Sequence, residues 1–521
     1  MTTFEPAIDP VLASLADAIL IPPFPGTTAP EWVLRALERG LAGVTLFGPN
    51  VTGDLAALTA SLRSASPVEP VIAIDEEAGD VTRVFYAGCP YPGNAALGAV
   101  DDVALTRDVY AAVGAELARL GINTDLAPCA DVLSPGGSHV IGTRSFGADP
   151  QAVARQVAAA VAGLQASGVA ACAKHFPGHG STSADSHLSL ATISGTLDEV
   201  RARDLPAFQA AIAAGTMALM PGHLRVPELT GDLPATLSAA AVTGLLRGEL
   251  GFPGVVICDA LEMKAASAAH GIPEAAVLAV IAGVDLLCLG RDTDEAMYHA
   301  VRAAIADAVA SGRLAGARLE EAVNRVTALR ARLAGLRTDF LQADFQQASA
   351  SAVARYAVTV DGVIHDGIGL VAARRALRRS GPLPATLANP LVVEVEPEEN
   401  IAAGRFTWGF TPWTPVVRVD PAVGNGAALG AIVADAAGRP LVLVVRDALS
   451  AQPLVSDMLA ARPDTIIVDM GVPRWTPPPG TAYLATYGAS RVCAQAAAEL
   501  LFTPGGRPPV GPRQRGETPL G

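Results

Sequence analysis

A (β/α)8 TIM-type barrel followed by a smaller α/β sandwich is the fold class this sequence predicts, on three observations. Short apolar runs alternate with alanine-rich amphipathic runs through the first two thirds of the chain, eight of each, with no hairpin signals. Ionisable residues gather just after the apolar runs, where a barrel builds its site. The length of 521 residues exceeds what one core accommodates, so a second unit is expected. A doubly wound sheet is the structural competitor, but its glycine-rich nucleotide fingerprint is missing after the first strand.

The eight units follow in order. Strand Asp17–Ile21 leads to helix Pro30–Arg39, and strand Gly43–Phe47 to helix Asp54–Ser64. Strand Pro70–Ile74 ends in Asp75-Glu76-Glu77 and precedes helix Leu105–Leu120. Strand Ile122–Leu126 carries Asp125, then Asp131 beyond it, ahead of helix Ala152–Ser167. Strand Val169–Ala173 ends in Lys174-His175 before helix Leu197–Ala214, and strand Met217–Met220 in Pro221-Gly222-His223 before helix Ala239–Glu249. Strand Gly254–Cys258 ends in Asp259 before helix Pro273–Ala282; strand Val284–Leu289 ends in Gly290-Arg291-Asp292 before helix Asp294–Ser311. One aspartate after a strand is as often a helix cap as a functional group. Six strands ending in polar groups together predict a shared pocket.

The densest stretch is Lys174-His175-Phe176-Pro177-Gly178-His179-Gly180, with Asp185-Ser186-His187 close behind. Pro177, Gly178 and Gly180 keep it from being a helix. Lys174 is one of only two lysines, with Lys264, against 35 arginines. A chain that uses arginine almost everywhere and keeps lysine here needs a compact ammonium rather than a guanidinium fork. His175 and His179 are four apart, as in helical zinc sites, but Pro177-Gly178 excludes the helix and no glutamate lies between them. No metal and no cofactor is therefore expected. His179 and His223 are either pocket lining or satisfied structural histidines.

Composition excludes several function classes. A net charge of −14 argues against a nucleic-acid partner. No run approaches the roughly twenty apolar residues of a membrane span, so no membrane partner is expected. Met1 to Pro10 lacks a basic region and carries Glu5 and Asp9, unlike a secretory signal. Cys89, Cys129, Cys172, Cys258, Cys288 and Cys493 are scattered, four of them in apolar runs. Reduced core thiols and a cytoplasmic location are expected. Oligomeric state is not legible.

Beyond Leu336 the pattern changes. The expected division is a barrel over 1–337, a connection over 338–360, an α/β sandwich over 361–503 and a disordered tail over 504–521. Strands are expected at Leu391–Glu396, Val416–Asp420, Pro440–Arg446, Thr465–Met470 and Ala482–Tyr487, and helices at Ala427–Ala437, Ser450–Ala461 and Ser490–Phe502. Asp447 and Asp469 read as loop caps.

The lysine–histidine motif with Asp185-Ser186-His187 resembles the β-N-acetylhexosaminidases of glycoside hydrolase family 3. Leu46-Phe47-Gly48-Pro49-Asn50, Asp75 to Arg83, Gly121 to Val132, Ile141 to Phe146, Leu233 to Ser238 and Gly251 to Met263 extend the resemblance over about residues 15–335. Asp464 to Phe502 is similar, more loosely, to the C-terminal sandwich of two-domain members. Two positions depart. Ala78 stands where the family usually has glycine, and Asp80 where this branch commonly has arginine; the reversed charge is expected to alter contacts to the aglycone or a second sugar.

The resemblance implies a retaining, exo-acting double displacement on a small carbohydrate substrate. Asp259 is the implied nucleophile, and His187, oriented by Asp185, the implied acid/base. Asp75, Arg83, Arg144, Lys174 and His175 are the implied ligands of a terminal N-acetylglucosamine. Implied substrates are cell-wall-derived muropeptide or anhydro-muramic fragments, or chitin-derived oligosaccharides. The alternative is a β-N-acetylglucosaminide phosphorylase, since a histidine acid/base would not repel an incoming phosphate.

Overall fold

The computed structural model describes residues 9–85, 89–134, 140–182, 190–193, 195–342, 359–360, 363–364, 367–396, 402, 409–420 and 426–502. Its N-terminal half is an α/β fold around a parallel sheet shaped as a half-barrel. Its strands are β1 (Leu20–Ile21), β2 (Gly43–Leu46), β3 (Val71–Ile74), β4 (Thr124–Asp125), β5 (Ala170–Phe176), β6 (Ala218–Pro221), β7 (Val255–Val256) and β8 (Leu287–Cys288), and Ala191–Thr192 pairs separately with Leu224–Arg225. β2 to β7 form one six-stranded sheet in chain order, and β1 pairs in parallel with β8. Backbone bonds run between the two sheets, among them Ala42 N–H to Asp17 C=O at 3.0 Å, Cys258 N–H to Leu286 C=O at 3.0 Å and Leu286 N–H to Val256 C=O at 3.0 Å. Every strand residue of β1 to β8 is buried, as parallel strands covered by helices require.

The helices begin where short polar side chains cap them. Asp54, Asp102, Asp149 and Asp294 each accept a backbone N–H from the first turn of the helices Leu55–Ala65, Val103–Arg119, Pro150–Ala166 and Glu295–Ala310. The single helix expected over Leu197–Ala214 is two, Leu197–Arg203 and Leu205–Ala213. Pro206 has no N–H to continue the ladder, and the chain breaks at buried Asp204, which pairs with Arg203 at 2.7 Å. Among the described residues no single helix is long and apolar enough to cross a membrane. The connection expected to begin at 338 starts inside a helix, Gly316–Gln342, and residues 343–358 lie outside the described ones. The tail 504–521 also lies outside them.

The C-terminal sheet contains β9 (Arg378–Ser380), β10 (Leu391–Val395), β11 (Val416–Val419), β12 (Leu441–Val445), β13 (Ile466–Asp469) and β14 (Tyr483–Ala485), in the order β9-β14-β13-β12-β10-β11. All neighbours are parallel except β9, an antiparallel edge strand that the pattern of Arg378-Arg379-Ser380 does not announce. Alternate residues pack on opposite faces. Val392, Val442, Val444 and Val468 meet the helix Arg491–Leu501, while Val393, Leu443, Val445 and Ile467 meet the helix Gln452–Ala461. All six cysteines are free and buried.

Candidate active site

The carboxyl ends of β3, β4 and β5 bring together four of the eight expected residues, Asp75, Arg144, Lys174 and His175. After β3 the chain keeps the alternation of a strand, so Asp75 and Glu77 reach one side and Glu76 the other. Lys174, at the end of β5, lies between the first two: its Nζ is 2.5 Å from Asp75 Oδ1 and 2.6 Å from Glu77 Oε1. Glu77 also receives Arg144 bidentately, Nε at 2.8 Å and Nη2 at 2.7 Å. Burial alone would lower the Lys174 pKa and raise that of Glu77. The opposite charges outweigh burial, so the ammonium is held above its ordinary value and the carboxyl below its own. Both stay charged. Within this set only the Asp75 side chain is substantially open, 26% exposed, so a ligand meets it first.

His175 is held from behind. Its backbone N–H donates to Asp131 Oδ1 at 3.1 Å, and its Nδ1 lies 2.7 Å from Asp131 Oδ2. Burial would raise the Asp131 pKa, but His175 and His179 hold it below the usual value. An ionised carboxylate only accepts, so Nδ1 carries the ring proton and Nε2 is left to accept from Arg144 Nη2, 3.3 Å away. Neighbouring strand residues normally face opposite sides. Here the register of β5 on β6 shifts between Lys174 and Phe176, and through that irregularity Lys174 and His175 both reach the cluster.

The remaining expected residues occupy different positions. Asp259, just beyond β7, is partly exposed and accepts the Ala260 N–H at 2.8 Å. Arg83 turns outward: its Nη2 donates to the Ala402 carbonyl at 2.9 Å, in the C-terminal half. His179 is buried against the His175 ring, and burial depresses its pKa to about 4. His223 is buried, with Nε2 2.9 Å from the Ala260 carbonyl, so it props the turn that carries Asp259. Both have partners within the protein, His179 through Nδ1 with Thr182 Oγ1 at 2.8 Å. Asp185 and His187 lie outside the described residues.

Asp80, at the second departure from the family pattern, is buried. Its carboxylate is taken up by Thr143, Ala489 and Arg446. Ala78, on the same loop, sits at φ 61°, the left-handed conformation that glycine adopts freely. Gly178 has a comparable need: φ is 129°, and a Cβ there would lie 2.6 Å from the Asp204 side chain.

Two further residues belong to this site. Glu77 is its electrostatic centre and Asp131 orients His175; sequence reasoning put both among the polar groups of a shared pocket without assigning either a specific task. The alternation Asp75-Glu76-Glu77 was a usable signal for the first, since every second residue of an extended segment shares a side. Glu76, on the other side, accepts from Ala78 N, Thr82 Oγ1, Arg83 N and Val84 N. Burial still pushes its pKa up to about 7.

Cys129, Asp131 and His175 form a compact cluster of metal-ligand types. Cys129 Sγ is 3.1 Å and His175 Nδ1 2.7 Å from the same Asp131 oxygen. Ligands about 2.0–2.3 Å from a tetrahedral zinc stand farther apart than that. The trio is a hydrogen-bonded support.

The arrangement can bind a neutral polyol: fixed cations donate, Asp75 accepts, and a further carboxylate, Asp259, follows β7 of the same sheet. Comparison with known proteins gives the same direction. Residues 28–329 match the family described as the glycosyl hydrolase family 3 N-terminal domain. A β-hexosaminidase of Stenotrophomonas maltophilia is 39% identical over 286 residues, covering 52% of this chain and 84% of that protein. One from Neisseria gonorrhoeae is 36% identical over 262 residues, covering 49% and 72%. The structure of a glycoside hydrolase family 3 β-N-acetylglucosaminidase from Paenibacillus sp. superposes with a TM-score of 0.79 at 29% identity, covering 94% of this chain and 95% of that one.

Proposed function

The chain belongs to glycosyl hydrolase family 3 and is a glycosidase, and from that premise we propose that it is a retaining, exo-acting β-N-acetylhexosaminidase. The carrying observation is the Lys174 ammonium clasped by Asp75 and Glu77, with Asp75 still open to a ligand. A terminal N-acetylglucosamine would exchange hydrogen bonds with Asp75, Lys174, Arg144 and His175. Arg83 would line the rim, since its guanidinium is already committed to Ala402.

Asp259 attacks the anomeric carbon and forms the glycosyl-enzyme, because a carboxylate stabilises an oxocarbenium-like transition state and then bonds to it. His187, oriented by Asp185, donates a proton to the leaving oxygen and then deprotonates the incoming water. Such help is worth roughly 10²–10⁴ in rate. We read β1 to β8 as a (β/α)8 barrel from the bonds joining its two sheets, 1–337 as the catalytic unit and 361–503 as the sandwich. The buried free thiols fit a cytoplasmic enzyme, and that location favours cell-wall-derived muropeptide or anhydro-muramic substrates over chitin-derived ones.

An aryl N-acetyl-β-glucosaminide assay with and without phosphate tests the reading. Phosphate-independent release, with the β-anomer of N-acetylglucosamine formed first by proton NMR, is the expected result. Release that requires phosphate and yields the sugar 1-phosphate would establish the phosphorylase instead, and an α-anomer first would exclude retention. Faster turnover of chitobiose than of the muramic disaccharide would overturn the cell-wall preference.

A further inference from the structure

Asp80 is 7% exposed, and its two oxygens serve three segments. Oδ1 accepts the Ala489 N–H at 2.9 Å; Oδ2 accepts the Thr143 hydroxyl at 2.5 Å and pairs with Arg446 Nη2 at 2.6 Å. Arg446 directly follows β12, and Ala489 precedes the helix Arg491–Leu501. Both lie at the carboxyl ends of the parallel C-terminal strands, the edge where α/β sheets receive ligands. Here a side chain of the N-terminal half sits at that edge.

The contacts continue inward. Thr143 adjoins Arg144, which grips Glu77, which shares Lys174 with Asp75. Asp80 therefore stitches the loop that carries Asp75 and Glu77 to the turn that carries Arg144, and both to the C-terminal sheet. On the same loop Val81 packs on Ala402, and Arg83 bonds its carbonyl. The loop is held outward by one half of the chain and inward by the other.

We propose that Asp80 is a positioning residue through which the C-terminal sheet sets the geometry of the sugar-binding side chains, so that affinity for the sugar depends on Arg446. The inference rests on the functional reading above and deepens it: an element that donates no ligand to the sugar tunes the site. Displacements of about 1 Å far from the chemistry can cost large factors in rate, and a two-loop staple prevents such displacement.

The test is a double-mutant cycle in the full chain on the aryl N-acetyl-β-glucosaminide, with Tm recorded throughout. Asp80→Asn and Arg446→Gln should each raise KM about tenfold with kcat changed less than about threefold. The double variant should be no worse than Asp80→Asn alone, and Arg446→Lys should recover most of the loss. Should Asp80→Asn fail to fold, Arg446→Gln and Arg446→Lys carry the same comparison, because they leave the Thr143 and Ala489 bonds in place. Folded variants with a lower Tm and an unchanged KM, or losses that multiply in the double variant, overturn the proposal. An inactive wild type overturns the functional reading and this inference with it; an active wild type with unaltered variants overturns this inference alone.

Discussion

Replacing Glu77 by glutamine removes one charge from a buried group that neutralises two cations. The glutamine amide has one oxygen, whereas Glu77 uses both: Oε1 meets Lys174 and Arg144 Nη2, and Oε2 meets Arg144 Nε. In either orientation the NH₂ faces a donor; Lys174 keeps Asp75 as a carboxylate partner, while Arg144 keeps the Val140 carbonyl and His175 Nε2. Breaking a buried pair from one side costs about 3–5 kcal/mol, because an uncompensated charge stays inside. If the N-terminal 330 or so residues unfold cooperatively, the unfolding entropy is about 0.7 kcal/mol/K, and Tm falls by about 4–7 °C.

The pH sense of this variant follows from linkage. The folded-state pKa of Glu77 is depressed below its ordinary value of 4.5, so its stabilisation is present above that value and lost as pH falls below it. The Tm difference between wild type and Glu77→Gln should therefore be full at pH 7 and shrink as the solution becomes more acidic than about pH 4.5. Removing Lys174 as well, in Glu77→Gln/Lys174→Met, should recover part of the stability but not sugar affinity. Differential scanning calorimetry across pH, beside kcat/KM on an aryl glycoside, reads all of this. A Tm within about 1 °C of wild type at pH 7 would refute the view of Glu77 as the site's electrostatic centre.

Asp259→Ala should abolish turnover while Tm stays close to wild type, since it empties a pocket rather than the core, and azide should restore part of the activity with an inverted product. Residual activity above a few per cent of wild type without azide would remove Asp259 as the nucleophile. His187→Ala should spare the glycosylation step of aryl glycosides with acidic phenols and slow disaccharides roughly 10²–10⁴-fold, with Asp185→Asn weaker in the same direction; equal pre-steady-state losses on both substrates would exclude the dyad. Ala78→Val should cost about 2 kcal/mol or more, because a β-branched residue fits poorly at φ 61°, while Ala78→Gly should be tolerated. Chemical denaturation of both variants decides, and an unchanged Ala78→Val would sink the strain argument.

The sequence by itself determined the succession of strands and helices, because apolar periodicity and capping residues act over a few neighbours. Seven of the eight barrel-type helices appear as single helices near their expected bounds, and the eighth breaks where Pro206 lacks a donor. The same local signals put Asp75, Lys174, His175 and Asp259 at strand ends. Tertiary structure alone decided the partners. Asp131 and His175 meet across 44 residues, Arg83 and Ala402 across 319, and Asp80 and Ala489 across 409. No local pattern encodes such pairings. Which carboxylate neutralises which cation depends on how loops from different strands converge, and there the desolvation of a buried charge leaves only closely paired arrangements stable. For the same reason the identity of Asp80 was legible, while its role as a link to the C-terminal sheet was not.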